Sequence, residues 1–468
     1  MRTLLRGGTV VSAADQFRAD VLIEGSRITQ LGESLDVTAD QVLDVAGCLL
    51  LPGLVDSHTH LAMPTMGTVT ADDFNTGTAA AAAGGTTTVV DFALQTEGSL
   101  LAGLEAWRER AAGQSHIDYG FHLAVTEASP EAISEMQAVV DQGVTSFKVF
   151  MAFKGSFMAD DEQLLRVLRR TRETGGLVQV HAENGDAIEV NIAEALGRGE
   201  IAPQFHAKTR PDSTEQEATA RAIHLARWAK RPVFFVHVSS AAAVSEIQMA
   251  RAAGSPVYGE TCVHYLTLTE DELARPGFDG AKYVCSPPLR TLSDQAVLWS
   301  ALRQQSLQIC TTDHCPFNFC GQKELGKDDF SKIPNGLPGI EHRLTLLHEY
   351  GVRAGRLTMP ELVGITSTAP ARMFGLDRKG RLAPGYDADI VVFDPESHMT
   401  ITARGHHMAV DYTPYEGWEC RGAPVTVFSR GEVVFRDGDL VSTPGRGQYI
   451  RRTPGPFGPG EVDSLRWV

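Results

Sequence analysis

No apolar run in this 468-residue chain approaches the ~20 residues needed to cross a bilayer, so a helical membrane span is not expected. The seven cysteines are scattered and form no C-x-x-C pair. That pattern argues against a disulfide framework and for a reducing, cytoplasmic setting. Positive charge is in short supply: 42 Lys and Arg face 58 Asp and Glu, a net charge of −16. A surface of that sign repels phosphate backbones and anionic lipid, which excludes nucleic acid and membrane surfaces as partners. The start, MRTLLRGGTVVSAAD, is too rich in Gly and too short in its apolar part for a secretory signal. No internal repeat is visible. No G-x-G-x-x-G follows the first apolar strand, which removes the main support for a dinucleotide fold.

What is present is globular material in quantity, 43% apolar and 21% charged, which excludes wholesale disorder. Strand-like runs rich in Val, Thr, Phe and Tyr recur at 54–60, 86–92, 117–126, 146–152, 177–183, 233–239, 257–262 and 308–313. Helical patterns lie between them, among them SLLAGLEAWRERAAG, DEQLLRVLRRTRETG and TEQEATARAIHLARWAK, and several end in Gly. Eight strands alternating with helices predict parallel strands closed into a (β/α)₈ TIM-type barrel. The two chain ends alternate like antiparallel strands instead, with hairpin turns such as RDGDL. They are expected to pair into one small β-sandwich domain of residues 1–51 and 376–440, beside a barrel of 52–375. The Pro- and Gly-rich end, 441–468, reads as an arm lying on a neighbour or on its own barrel.

Residues two apart on a strand share a face, so His58 and His60 of DSHTH point together into the barrel mouth, as half of a metal site would. His181 in LVQVHAE, His237 in VFFVHVS and Asp313 in QICTTD stand at the same topological level on other strands. Barrel enzymes assemble their chemistry from such strand ends. Lys148 lies among aromatic and apolar neighbours in SFKVFMA, where an unpaired amine is costly. Burial there leaves a neutral amine able to take up CO₂ as a carbamate, whose two oxygens can bridge metal ions; a salt-bridged lysine is the plainer alternative. Cys315 and Cys320 beside His314 lack zinc spacing. His264 and Tyr265 read as packing, Gly84-Gly85 as a helix stop, and Glu183 as a residue that orients His181 or caps a loop.

GLVDSHTHL, SFKVFMAFK, VHAENGDAI, FFVHVSS, GETCVHYL, CSPPLR, CTTDHCPFN and NGLPGIEHRL occur here in one order. In that order the chain resembles the cyclic amidohydrolases, in particular their dihydropyrimidinase and D-hydantoinase branch. The resemblance runs nearly the whole length and implies a homotetramer or homodimer acting on a small cyclic amide or imide. It implies that His58, His60 and Asp313 hold a buried divalent ion, and His181 and His237 a more exposed one. Carboxylated Lys148 bridges the two. Zinc is the default metal for these donors, with manganese or cobalt as alternatives. A hydroxide shared by the ions then attacks the ring carbonyl, and Asp313 shuttles its proton to the departing nitrogen, giving an N-carbamoyl amino acid. The resemblance further implies that Ser286 and Asn335 hold the ring through their backbone, and that Thr65, Met66, Phe150 and Phe157 surround its substituent.

Two positions depart from the pattern. Phe153 stands where relatives commonly carry a Tyr that binds the developing oxyanion, and Ala62 where bacterial relatives often carry an acid. Dihydroorotase places an Arg at that same position to hold a carboxylate, so Ala62 weakens that reading. Allantoinase remains an alternative, and a non-catalytic scaffold is opposed by the intact ligand set.

Overall fold

The computed structural model describes residues 1–465. Eight parallel strands pair in chain order: Leu54–Thr59, Thr86–Leu94, Asp118–Ala124, Ser146–Phe150, Leu177–His181, Val233–Phe235, Val257–Cys262 and Ile309–Thr311. The last meets the first through a parallel bridge between Thr59 and His314, where His60 N–H donates to His314 C=O at 2.9 Å. The sheet thereby closes into the TIM-type barrel. Every residue of these strands is buried, because helices cover one face and packed side chains the other. The covering helices start on side-chain caps: Ser99, Ser129, Asp160, Ser240 and Thr291 each accept from an amide of the first turn. Gly84 ends the helix Phe74–Ala83, and a Cβ there would sit 2.4 Å from Glu341 C=O. Close approach of the two backbones requires the glycine.

Five barrel strands end earlier than their β-propensity predicts: 117–126 pairs to Ala124, 146–152 to Phe150 and 177–183 to His181, and two more stop as follows. The run 233–239 stops pairing after Phe235, and 308–313 after Thr311. His237 and Asp313 lie just beyond, with φ of 40° and 45°, and this left-handed backbone interrupts the regular ladder, while Val238 N–H still donates to Glu260 C=O and His314 still bridges Thr59.

The chain ends join one nine-stranded sheet, in which Ile390–Thr400 runs antiparallel to Leu49–Pro52. Ile23, Ile28, Leu50, Ile390 and Phe428 meet in one buried cluster. A Cβ on Gly431 would fall 2.0 Å from Gly25 C=O, so the far ends of the sheet curl onto each other. RDGDL forms a hairpin, with Asp437 and Gly438 at φ of 53° and 92° between the paired Arg436 and Asp439. Sheet and barrel are joined by Lys379, whose ammonium reaches Asp118, Asp387 and Asp389 at 2.7, 3.0 and 2.7 Å.

The Pro- and Gly-rich end lies on its own barrel, at the N-terminal ends of the strands. Tyr119 N–H donates to Gln448 C=O at 3.0 Å, and Gly176 N–H to Phe457 C=O at 2.9 Å. Val462 N–H donates to Lys230 C=O at 3.0 Å. Residues 466–468 of that arm lie outside the described residues.

Candidate metal centre and pocket

At the opposite, C-terminal mouth, the first strand brings His58 and His60 to one side. Asp313 Oδ1 lies 3.0 Å from His58 Nε2 and 3.2 Å from His60 Nε2. His181 Nδ1 and His237 Nε2 are 2.9 Å apart, and the His58 and His237 ring centroids 5.4 Å. Zinc–nitrogen bonds of about 2.0–2.1 Å set donors about 3.3 Å apart around a tetrahedral ion. The His58, His60 and Asp313 set fits a divalent cation in chemistry and spacing, its ligand atoms all lying within 4.8 Å of one another. Lys148 Nζ is 3.0 Å from His58 Nε2 and lies over the Phe92 and Phe150 rings at 4.2 and 4.9 Å.

Electrostatics suit the same purpose. Burial pushes His60 down to about 4 and the Lys148 amine down to about 8. Both are thereby shifted toward the neutral form that ligation or CO₂ uptake requires, His60 fully at neutral pH and Lys148 in part. Burial opposes charge on Asp313 too, but His58 and His60 hold its carboxyl well below the usual range.

Carboxylates behind the imidazoles fix their orientation. His58 Nδ1 bonds to Glu260, fully buried in its strand, and His181 Nε2 bonds to Glu183 Oε2 at 2.7 Å. Glu183 is held at about 2 despite its burial, chiefly by the Arg210 guanidinium and then by His181. His237 Nδ1 and His60 Nδ1 are buried without a partner among the described residues. Glu260 lies within the GETCVHYL motif but, like Arg210, does not stand out in the sequence, since a lone charged residue in a strand or loop has no spacing to betray its partner. Cys315 is buried at the site while Cys320 is exposed, so they share no metal position. His264 is buried against Tyr265, with ring centroids 4.1 Å apart.

The ligand cluster opens into a cavity of about 250 Å³ lined by Lys148, His60, His181, His237 and Asp313. Phe150, Phe153 and Phe157 form one wall, and Thr65, Met66, Ser286 and Asn335 also line it. Phe153 has φ of 67°, a strained value for an aromatic residue, and its ring lies 4.9 Å from that of His181. Ala62 and Met66 share the left-handed region at 51° and 49°. Such strain gathers where a site imposes the backbone. Asn335 Nδ2 donates to Ser286 Oγ at 3.0 Å, joining the two loops.

A closed barrel with His and Asp side chains gathered at its C-terminal mouth is the framework of a hydrolase, and this chain belongs to the amidohydrolase family, whose model matches residues 49–434. It is 51% identical over 458 residues to the D-hydantoinase of Streptomyces coelicolor, covering 96% of this chain and 98% of that protein. Identity to the D-hydantoinase of Geobacillus stearothermophilus is 50%, over 97% of each chain. The crystal structure of dihydropyrimidinase from Brevibacillus agri superimposes with a TM-score of 0.96 at 51% identity, covering 97% of this chain and 99% of that one. The resemblance carried by the motifs therefore extends over the whole fold.

Proposed function

We propose that this amidohydrolase opens the cyclic amide of hydantoins or dihydropyrimidines to N-carbamoyl amino acids. The reading is carried by one observation: the His, Asp and Lys cluster faces the same cavity as Ser286 and Asn335. His58, His60 and Asp313 would hold one divalent ion and His181 and His237 a second, and Lys148, if carboxylated by CO₂, would supply an anionic ligand between the two sets. Bound there, zinc, manganese or cobalt supplies an activated water and polarises the ring carbonyl. Asp313, kept ionised, takes the proton from the attacking water at its carboxylate and returns it to the departing ring nitrogen. Ser286 and Asn335 grip the amide edge through their backbone. The phenylalanine wall with Thr65 and Met66 excludes water and favours bulky apolar substituents. Phe153 leaves oxyanion stabilisation to groups other than a tyrosine hydroxyl. A homotetramer or homodimer is part of the proposal, as is a cytoplasmic location, which the seven unpaired cysteines support.

Purified protein loaded with each metal and assayed on 5-phenylhydantoin, dihydrouracil, allantoin and dihydroorotate tests this. The expected result is preferred hydrolysis of the hydantoin, with about two ions per chain. Preference for allantoin or dihydroorotate, or no ring opening at all, would overturn it.

A further inference from the structure

Lys323 is fully buried, yet among the described residues its ammonium pairs with no carboxylate. Its three N–H groups go to three backbone carbonyls: Val284 at 2.9 Å, Pro334 at 2.7 Å and Gly336 at 2.8 Å. An ammonium has three donors, so the charge is satisfied without a counter-ion, although burial pushes the amine down to about 7. A buried unpaired cation is expensive, and a neutral side chain would fill the space at lower cost. Its partners place the residue in the chemistry. Val284 precedes the loop of Ser286, and Pro334 and Gly336 flank Asn335; Ser286, Asn335 and Gly336 all line the cavity.

The Pro334–Asn335 peptide is trans, so its C=O and N–H point to opposite sides. With the carbonyl drawn to Lys323, the Asn335 N–H is turned the other way, to Met66 Sδ at 3.3 Å. Thioether sulfur is a weak acceptor, which a ring carbonyl can displace. Gly336 N–H also donates to Val284 C=O at 3.0 Å, so one carbonyl ties both loops and the lysine together. We propose that Lys323 is a positioning residue for ring binding, orienting the peptides beside Asn335 and Ser286 so that the Asn335 N–H is presented to the substrate. This rests on the cyclic-amide reading above.

The test is steady-state hydrolysis of 5-phenylhydantoin by metal-loaded wild type, Lys323→Met and Lys323→Gln, with metal content and thermal unfolding measured on each. An orientation lost equally in ground and transition states raises KM and leaves kcat nearly unchanged. We expect roughly a tenfold rise in KM for Lys323→Met, the size of one lost hydrogen bond, with metal content intact. Lys323→Gln, which keeps two N–H donors, should recover part of it. A wild-type KM in Lys323→Met, a fall in kcat that tracks lost metal, or failure of both variants to fold would overturn the inference. Absence of ring opening by the wild type would instead overturn the underlying reading.

Discussion

Replacing Glu260 by Gln would leave the shape of the strand unchanged but remove the negative charge that His58 Nδ1 faces inside the barrel. An imidazole loses ligand basicity when the carboxylate behind it is neutralised, and such losses cost about 10–100-fold in metal affinity. Competition with a chelator should therefore show Glu260→Gln releasing metal first; unchanged affinity would mean that His58 is fixed by packing against Phe92 alone. At this scale the sequence was partly readable. His58 and His60 stand out through the two-residue period of a strand, and His181, His237 and Asp313 through their common level at strand ends. Glu260 does not, because its partner is 202 positions away and the GETCVHYL motif that contains it has no spacing that assigns it a role. Lys323 was equally silent, since backbone carbonyls leave no trace in a sequence.

At the scale of elements, local signals gave the order of strands and helices but extended five strands too far. β-propensity runs on through His237 and Asp313, whereas the backbone is left-handed at both. The joint between sheet and barrel was also invisible, as it depends on residues from three distant segments. Lys379 is 3% exposed and neutralises part of the charge of Asp118, Asp387 and Asp389, aided by Arg430 at 3.0 Å from Asp118. Removing one partner of such a buried network leaves uncompensated charge and costs about 3–5 kcal/mol. Lys379→Met should therefore unfold at markedly lower urea concentration. The His and Asp cluster lies at the other end of the barrel, so turnover per folded molecule should be retained. A midpoint equal to wild type would show that the carboxylates relax into solvent or protonate without penalty.

Across the whole molecule, the two ends of the barrel divide the work between catalysis and stability, as in other barrels. The alternation of strands and helices announced the barrel, but no periodicity could say where a Pro- and Gly-rich arm would lie. It lies across the end opposite the His and Asp cluster. Phe457 is fully buried and meets Tyr258 at 5.2 Å between ring centroids. The buried Arg231 guanidinium donates to Phe457, Gly458 and Gly460 in the arm and to Gly176 in the barrel. Arg452, also buried, reaches Ser146 Oγ at 3.0 Å and Phe374 C=O at 3.3 Å. Ending the chain after Leu440 would strip these acceptors from Arg231 and uncover the aromatic floor. Each buried donor left unmatched costs about 1–3 kcal/mol, and the exposed apolar surface adds more. The truncated protein should be mostly insoluble, and its soluble fraction should lose amide-exchange protection at Tyr119 and Gly176, whose N–H groups now bond to the arm. Metal content per folded chain should be preserved, because the arm touches none of the ligands. Full solubility with unchanged exchange at those two amides would mean that the barrel closes its own floor and that the arm adds no stability.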